Sequence, residues 1–561
     1  MNNQISHPVV RRHLGLLISA MIFFSTVVHA HLISINPITP FPESVSAGSI
    51  NNASFKVTNI SAHVNVTVID QSNFSASSGL SITSSTCGSI LRPNQSCIIN
   101  MSLQVVNGGR VIQGELKEWA KPTADAVKYP FQVFVSQGLP NITLKPVTNG
   151  GLPALREPII ATSNGNWLIV SGSLGNFHDF NLNFITDIYV YNPVTKQLYS
   201  QSMGSLPLDV QNQLQSSDPE FLHDGDTLYI IGGFYTDNNT NWTTLNTITS
   251  INVPGMMNAI INNAPIAPFV HFIAGTPNFN VTGGQLGKIG PYFYLAYGQD
   301  CEGNYCATSQ TYTDSIYQFT MNPSLSTPPT IITSITHPDS DNSGWRRRDY
   351  NLVPLKLGQT DMLFAMGGPF TQDTALVWTN GILFNELIQA NNSFINQQAN
   401  QYSDGVFSMY SSKMNASYAV SMSGLSNLYW SPGGLIFDNT TPYGNILDLI
   451  SVDANSHVHE FANLAPLCSG QPLQNCLYMG LSANFVRVDE FYDERGILLL
   501  DTLPQNSPTL VGYLYGGLVS TVQQPFGGPN QVSNQVYEIY VTPSTTDTIN
   551  WQNITNLFPG N

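Results

Sequence analysis

The stretch TLYIIGGF at 227–234 is a run of β-branched and aromatic residues that stops at paired glycines. Variants recur as WLIVSGSLG at 167–175, YFYLAYG at 292–298, MLFAMGG at 362–368, SYAVSMSG at 417–424 and LVGYLYGG at 510–517. Apolar runs of this length read as strands buried on both faces. Glycine at the exit lets the backbone turn with φ > 0 or pass close to a neighbour. A unit repeated at such intervals predicts an array of small sheets, none able to cover its own faces.

Bulk composition agrees with a folded chain. Of 561 residues, 42% are hydrophobic and 10% charged, a core-forming balance rather than a disordered one. The formal net charge is -16, from 19 Lys+Arg against 35 Asp+Glu. Such a balance repels phosphate backbones and anionic membranes, so nucleic-acid binding is not expected.

The first residues predict export. Arg11, Arg12 and His13 precede an apolar run at 14–28 that ends in Val28-His29-Ala30. A positive start, a short apolar centre and a small-residue exit match a secretory signal peptide over 1–30, cut after Ala30. The run is too short for a membrane anchor, and no later stretch reads as a span, so no membrane insertion is expected. His31 would then begin the mature chain, a position at which copper chelation needs a second histidine on a dedicated domain; a plain cleavage scar is the simpler reading. Six cysteines fall into close pairs, Cys87 with Cys97, Cys301 with Cys306, and Cys468 with Cys476. Local disulfides in a secreted or periplasmic protein explain them best, since no histidine lies at a metal-ligand spacing.

Residues 31–137 alternate with period two, as in SFKVT at 54–58, VNVTV at 64–68 and FQVFV at 131–135. That pattern predicts a small antiparallel β-sandwich. The piece CGSILRPNQSCII at 87–99 resembles bacterial immunoglobulin-like modules of the ASPM/SPD-2/hydin type, which implies a spacer or adhesion unit. Residues 138–153 are rich in Gly, Pro, Asn and Thr and read as a linker, with a candidate strand at 142–147 that would help close the C-terminal array.

From 154 to 561 the apolar–Gly units acquire flanks. An Arg opens the inner strand (Arg156, Arg348), the apolar strand ends at glycine, an Asp- or Asn-led strand carries Tyr, and an outer strand carries an aromatic residue. This succession resembles the kelch repeat, and the resemblance implies an all-β chain: a small N-terminal sandwich followed by a kelch-type β-propeller. Six blades are expected, or seven if 476–488 forms a blade of its own. The fifth copy carries Ser-Gly in place of Gly-Gly, and the sixth an insertion around 483–496.

Several groups could carry chemistry. Arg156, Arg348 and Arg487 lie near inner-strand starts; converging on the axis they would clamp a carboxylate, while in kelch-like blades such arginines tie neighbouring blades together. The latter is the simpler reading. The segment WRRRDY at 345–350 is a basic cluster flanked by aromatics, so Trp345, Arg347, Arg348 and Tyr350 are candidates for stacking on sugars or a protein partner, against a solvated loop. DSDNSG at 339–344 resembles half a calcium loop, but the bidentate Glu is replaced by Tyr350, leaving at most a loosely bound calcium ion. His457 and His459 would share one face of an outer strand, far from the axis. The kelch domain of galactose oxidase holds copper with the help of a free thiol, which this chain does not offer. No other cofactor is expected. These readings favour a binding protein for a glycan or an extracellular protein partner over an extracellular carbohydrate-active enzyme working in the axial pocket.

Overall fold

A computed structural model describes residues 31–41, 44–45, 50–72, 74, 79–104, 111–122, 126–135, 139–177, 183–237, 241–276, 278–336, 345–371, 377–387, 395–453, 458–464, 467, 477–523, 529–543 and 551–555. The expected signal peptide, His457 and the calcium-like 339–344 lie outside these residues. Of the three expected disulfides, two are present among the described residues, Cys87–Cys97 and Cys301–Cys306. The third expected pair, Cys468 and Cys476, lies outside the described residues. The chain divides into two compact units, Met1–Val106 with Val111–Phe134, and Asn107–Arg110 with Val135–Asn561.

The first unit is two antiparallel sheets. One orders Ile33–Thr39, Ile50–Asn59, Ser96–Gln104 and Leu80–Ser85; the other is built on Ala126–Val135, Val111–Lys121 and Val66–Asp70. Alternation in sequence becomes alternation in burial: Phe55, Val57, Met101 and Leu103 point inward while their neighbours face water. Phe55 meets Tyr129 of the second sheet with ring centroids 5.2 Å apart.

The second unit is all-β, a propeller of small sheets, six of which, among the described residues, are built on inner strands that follow one another around a ring. Their inner strands are Arg156–Ser163, Glu220–Asp224, Gln285–Ile289, Asn351–Leu357, Val406–Ser411 and Tyr478–Arg487. Each touches the next, and the last touches the first. The apolar–Gly runs are the second strands, paired antiparallel to the inner ones. Being flanked by strands in their own sheet and by sheets on both faces, they are buried throughout, as at Leu228, Tyr229, Ile230 and Ile231. Separate hydrophobic clusters fill the gaps between successive sheets: Tyr229 and Phe293 between the second and third, Tyr294 and Leu363 between the third and fourth, Phe364 and Ile450 between the fourth and fifth.

The paired glycines meet the expected need. Gly232 and Gly233 both have positive φ, 63° and 106°, and a Cβ on Gly232 would lie 2.0 Å from the carbonyl oxygen of Val281 in the next sheet. The Ser-Gly variant of the fifth copy keeps the same backbone, with Ser423 at φ 68° and Gly424 at 102°.

The seam lies between the first and sixth sheets. Within the segment read from composition as a linker, Asn141–Val147 is a full strand. It pairs with Val536–Thr542 in unbroken register from Asn141↔Thr542 to Val147↔Val536. The sixth sheet is thus completed by a strand that precedes the first in sequence. Trp167 of the first sheet packs edge-on against Tyr513 and at a tilt against Tyr515 of the sixth, at 5.2 and 6.0 Å between ring centroids. Backbone bonds across the seam, Leu155 N–H to Ser533 O and Gly517 N–H to Leu155 O, finish it.

An insertion at 488–508 separates the first two strands of the sixth sheet. It runs under the far end of the ring and is pinned at several sheets. Thr162 donates to Asp489 (3.0 Å), Arg495 pairs with Asp361, and Ser411 and Ser412 donate to Asp501 (2.9 and 2.8 Å). Its segment Ile497–Leu499 adds in parallel to Val406–Ser411.

Candidate functional site: an axial cup

Near the start of five inner strands, and in the middle of Tyr478–Arg487, the chain places one residue with positive φ on the ring axis. These are Glu157 (53°), Asp218 (48°), Gly283 (70°), Asp349 (49°), Ser403 (52°) and Ser482 (57°). Five are not glycine, and held αL backbone of this kind persists where surrounding structure fixes it. Here hydrogen bonds around the axis do so. Gly283 N–H donates to Asp218 O (3.0 Å), Asp349 N–H to Gly283 O (2.8 Å) and Ser482 N–H to Ser403 O. Ser403 Oγ lies 3.4 Å from Asp349 O, and Ser482 Oγ 3.4 Å from Glu157 Oε1. The result is a polar waist with a cavity on each side.

The first cavity, about 290 Å³, opens away from the insertion. Its floor is Arg156, Glu157, Asp218, Arg348 and Asp349, and its walls carry Phe177, Phe234, Trp242, Phe370 and Tyr402. The second, about 280 Å³, lies toward the insertion and is lined by Ile159, Phe221, Asn351, Asp404 and Phe485 among others. A separate sheet, Phe234–Asp237, Asn241–Thr244, Gln299–Glu302 and Ser309–Tyr312, forms one wall of the first cavity. It carries the Cys301–Cys306 disulfide and is anchored where Cys301 N–H donates to Thr244 Oγ1 (2.8 Å). Replacing both Cys301 and Cys306 by Ser is expected to weaken ligand binding several-fold while the melting temperature moves by no more than a few degrees, checked by calorimetry on the same preparations. The same change at Cys87 and Cys97 should leave ligand affinity unaltered.

Charge on the floor is arranged in adjacent pairs. Arg156 Nε lies 3.1 Å from Glu157 Oε1, and Arg348 Nη1 lies 3.6 Å from Asp349 Oδ2. Arg156 also donates to Asn176 O (2.9 Å), and the Arg348 guanidinium sits 4.7 Å from the Phe370 ring centroid. Burial holds the Asp218 carboxyl well above the usual range; Glu157 and Asp349 push it further, and Arg156 and Arg348 pull it back. Asp349 is raised by burial first, against Arg348 and with Glu157. Burial opposes the Arg348 charge, but Asp349, Tyr312 and Asp218 outweigh it and leave its pKa above the ordinary value.

The expected arginine trio separates. Arg156 and Arg348 share the cup, whereas Arg487 is at the far end of its strand, bonded to Asp489 at 2.6 Å beside the insertion. The basic cluster at 345–350 is likewise not one surface. Trp345, Arg347 and Tyr350 are fully buried, none of them lines the first cavity, and Tyr350 borders the second. Tyr350 Oη donates to Ala296 O (2.7 Å), and Trp345 packs on Tyr297 at 5.4 Å. Arg347 instead joins strand ends within its own sheet, donating to Gly367 O (2.6 Å) and to Asn380 O and Oδ1 (3.0 and 2.8 Å). Alternation along the chain explains the split, because Arg346 and Arg348 flank it on the accessible side. His459, the described half of the histidine pair, is nearly buried on the outer strand Val458–Asn463. Among the described residues no group of three or more His, Cys, Asp or Glu has metal-holding geometry.

Sequence reasoning missed Glu157, Asp218 and Asp349. A signal existed: Glu157, Asp218 and Gly283 stand at one constant offset before Ser171, Gly232 and Tyr297, the residues that precede Gly172, Gly233 and Gly298. The aromatic walls had none, since they come from loops of unrelated length.

No protein-family model matches the chain, and no curated protein does. Among solved structures, "Structure of YjhT" is similar at 10% identity and a TM-score of 0.38, over 70% of this chain and 98% of that one. A Trypanosoma rangeli sialidase mutant displaying trans-sialidase activity is similar at 8% identity and a TM-score of 0.33, over 69% of this chain and 54% of that one. A DUF4784 family protein from Bacteroides caccae shows 8% identity and a TM-score of 0.23, over 76% and 95%. With likenesses this distant, the functional reading rests on the cup itself.

Proposed function

We propose that this chain is a secreted, kelch-type six-bladed propeller with an immunoglobulin-like front module, and that it binds the end of a glycan in the axial cup. The make-up of the cup carries the reading: five aromatic side chains stand over a floor of two arginines and three carboxyl groups. Aromatic faces take the C–H side of a sugar ring, and charged groups at fixed positions bond its hydroxyls. The hydrogen-bonded waist favours a chain end over a chain passing through. Two disulfides among the described residues support an oxidising compartment, and no described helix is long and apolar enough to cross a membrane.

A glycan array probed with the protein from His31 onward tests the proposal. Trp242→Ala should weaken the best hit about tenfold or more, roughly 1.4 kcal/mol. An array without hits, or a Trp242→Ala variant that binds like wild type, contradicts it; capture of a protein instead of any glycan would do the same. The second reading, a carbohydrate-active enzyme, is favoured by one observation: Asp218 and Asp349, both held toward the protonated form, stand together in a cavity. Release of sugar from an array hit, lost in Asp218→Asn, would establish it.

A further inference from the structure

We infer that the cup receives a ligand end bringing hydrogen-bond donors and positive charge, a hydroxylated ring bearing an amine, and discriminates against sugars bearing a carboxylate. The inference rests on the saccharide reading above and specifies its chemistry.

Three observations carry it. The first is that the guanidinium groups are already engaged. Arg156 holds Glu157 and the carbonyl of Asn176, and Arg348 holds Asp349 and lies over Phe370. Their Nε atoms are buried and are not open to an incoming group. An incoming carboxylate would have to displace an acid one residue away in the chain, whose local concentration it cannot match.

The second is Asp218. It lines both cavities, and its main-chain oxygen accepts from Gly283 N–H and Thr282 Oγ1. Its carboxyl group makes no hydrogen bond with any described residue. A half-buried carboxyl open to the cavity is free to accept from a donor that a ligand brings. With Glu157 and Asp349 beside it, the floor holds three acids against two arginines. An ammonium group offsets the charge that Asp218 gains when it ionises, and a fourth carboxylate adds to the repulsion.

The third is the wall. Phe177, Phe234, Trp242, Phe370 and Tyr402 surround the space above the floor. Aromatic faces attract cations, and the molecule already uses one this way where Arg348 covers Phe370. Charge and wall therefore select the same ligand.

Binding of such a ligand carries a pH signature. Asp218 faces Glu157, Asp349, Arg156 and Arg348, and Tyr402 closes the same cavity. An ammonium beside it favours the ionised form, so binding expels a proton and tightens as pH rises toward neutrality.

Calorimetric titration with three short oligosaccharides differing at the terminal ring is the test: glucosamine, N-acetylglucosamine and a uronic acid. At neutral pH the amine-ended ligand should bind at least tenfold tighter than its N-acetyl form, with the uronic acid weakest. Asp218→Asn should erase the amine preference, lowering affinity for the amine-ended ligand at least tenfold more than affinity for its N-acetyl form. A uronic acid that binds as well as the amine, or an amine preference that survives Asp218→Asn, overturns the inference and leaves the saccharide reading standing. Failure of all three ligands to bind overturns both. If Asp218→Asn does not fold, Glu157→Gln decides: the preference should fall at least threefold, and an unchanged preference overturns the inference.

Discussion

The melting temperature is expected to fall as pH rises from 5 to 8, by on the order of 10 °C. Glu220, Asp404 and Glu460 are buried in the ring, at 2%, 6% and 1% exposure. Burial pushes Glu220 and Glu460 up to about 8 and Asp404 to about 7. Each is partly rescued by hydrogen bonds: Glu220 from Gly284 N–H (2.7 Å), Glu460 from Ala399 N–H (2.8 Å) and Asp404 from Asn351 and Ser421. The sign is set by proton binding. Below about pH 4 these groups are protonated in both folded and unfolded chains, and stability does not depend on them. Between about 4 and 8 the unfolded chain ionises first, so the folded state binds more protons and stability declines with rising pH. In the first unit Glu118 acts in the same direction, pushed to about 8 by burial and then by Asp70. Differential scanning calorimetry at constant ionic strength checks this; a melting temperature flat or rising from pH 5 to 8 would show these acids ionised in place.

Arg347→Met is expected to destabilise the ring by about 3–5 kcal/mol. The guanidinium is completely buried and bonds the carbonyls of Gly367 and Asn380 and the Asn380 side chain. Methionine fills similar space but donates nothing, leaving those oxygens buried without partners. Burial lowers the Arg347 pKa to about 10, so it stays charged at neutral pH and the loss is the same from pH 5 to 8. Urea unfolding gives the number. Arg346→Met, one residue away and partly exposed, is the control; it loses a bond to Phe370 O and a contact with the Tyr312 ring and should cost on the order of 1 kcal/mol. Equal effects at the two positions would remove Arg347 from its structural role.

Legibility in the sequence tracks local constraint. The second strands were legible because a run such as LYII, buried on both faces, has no polar residue to mistake for a loop. The glycine pairs were legible because close backbone approach tolerates almost nothing else. Asn141–Val147 was recoverable as a strand, but its partner, nearly 400 positions later, was not, since register between distant segments leaves no local mark. The cup was the least legible part. Arg156 and Arg348 stood out by type, yet nothing in composition separates Arg348, in the cavity, from Arg347, in the core. Asp218 looks like any Ser-Asp-Pro turn until the ring brings it beside Glu157 and Asp349.

Hydrogen exchange with and without the best-binding saccharide is the most direct measurement of whether those distant positions form one ligand site. Binding should slow exchange together at 156–157, 217–218, 348–349 and 402–403. Protection confined to the outer strands or to the first unit would contradict an axial site.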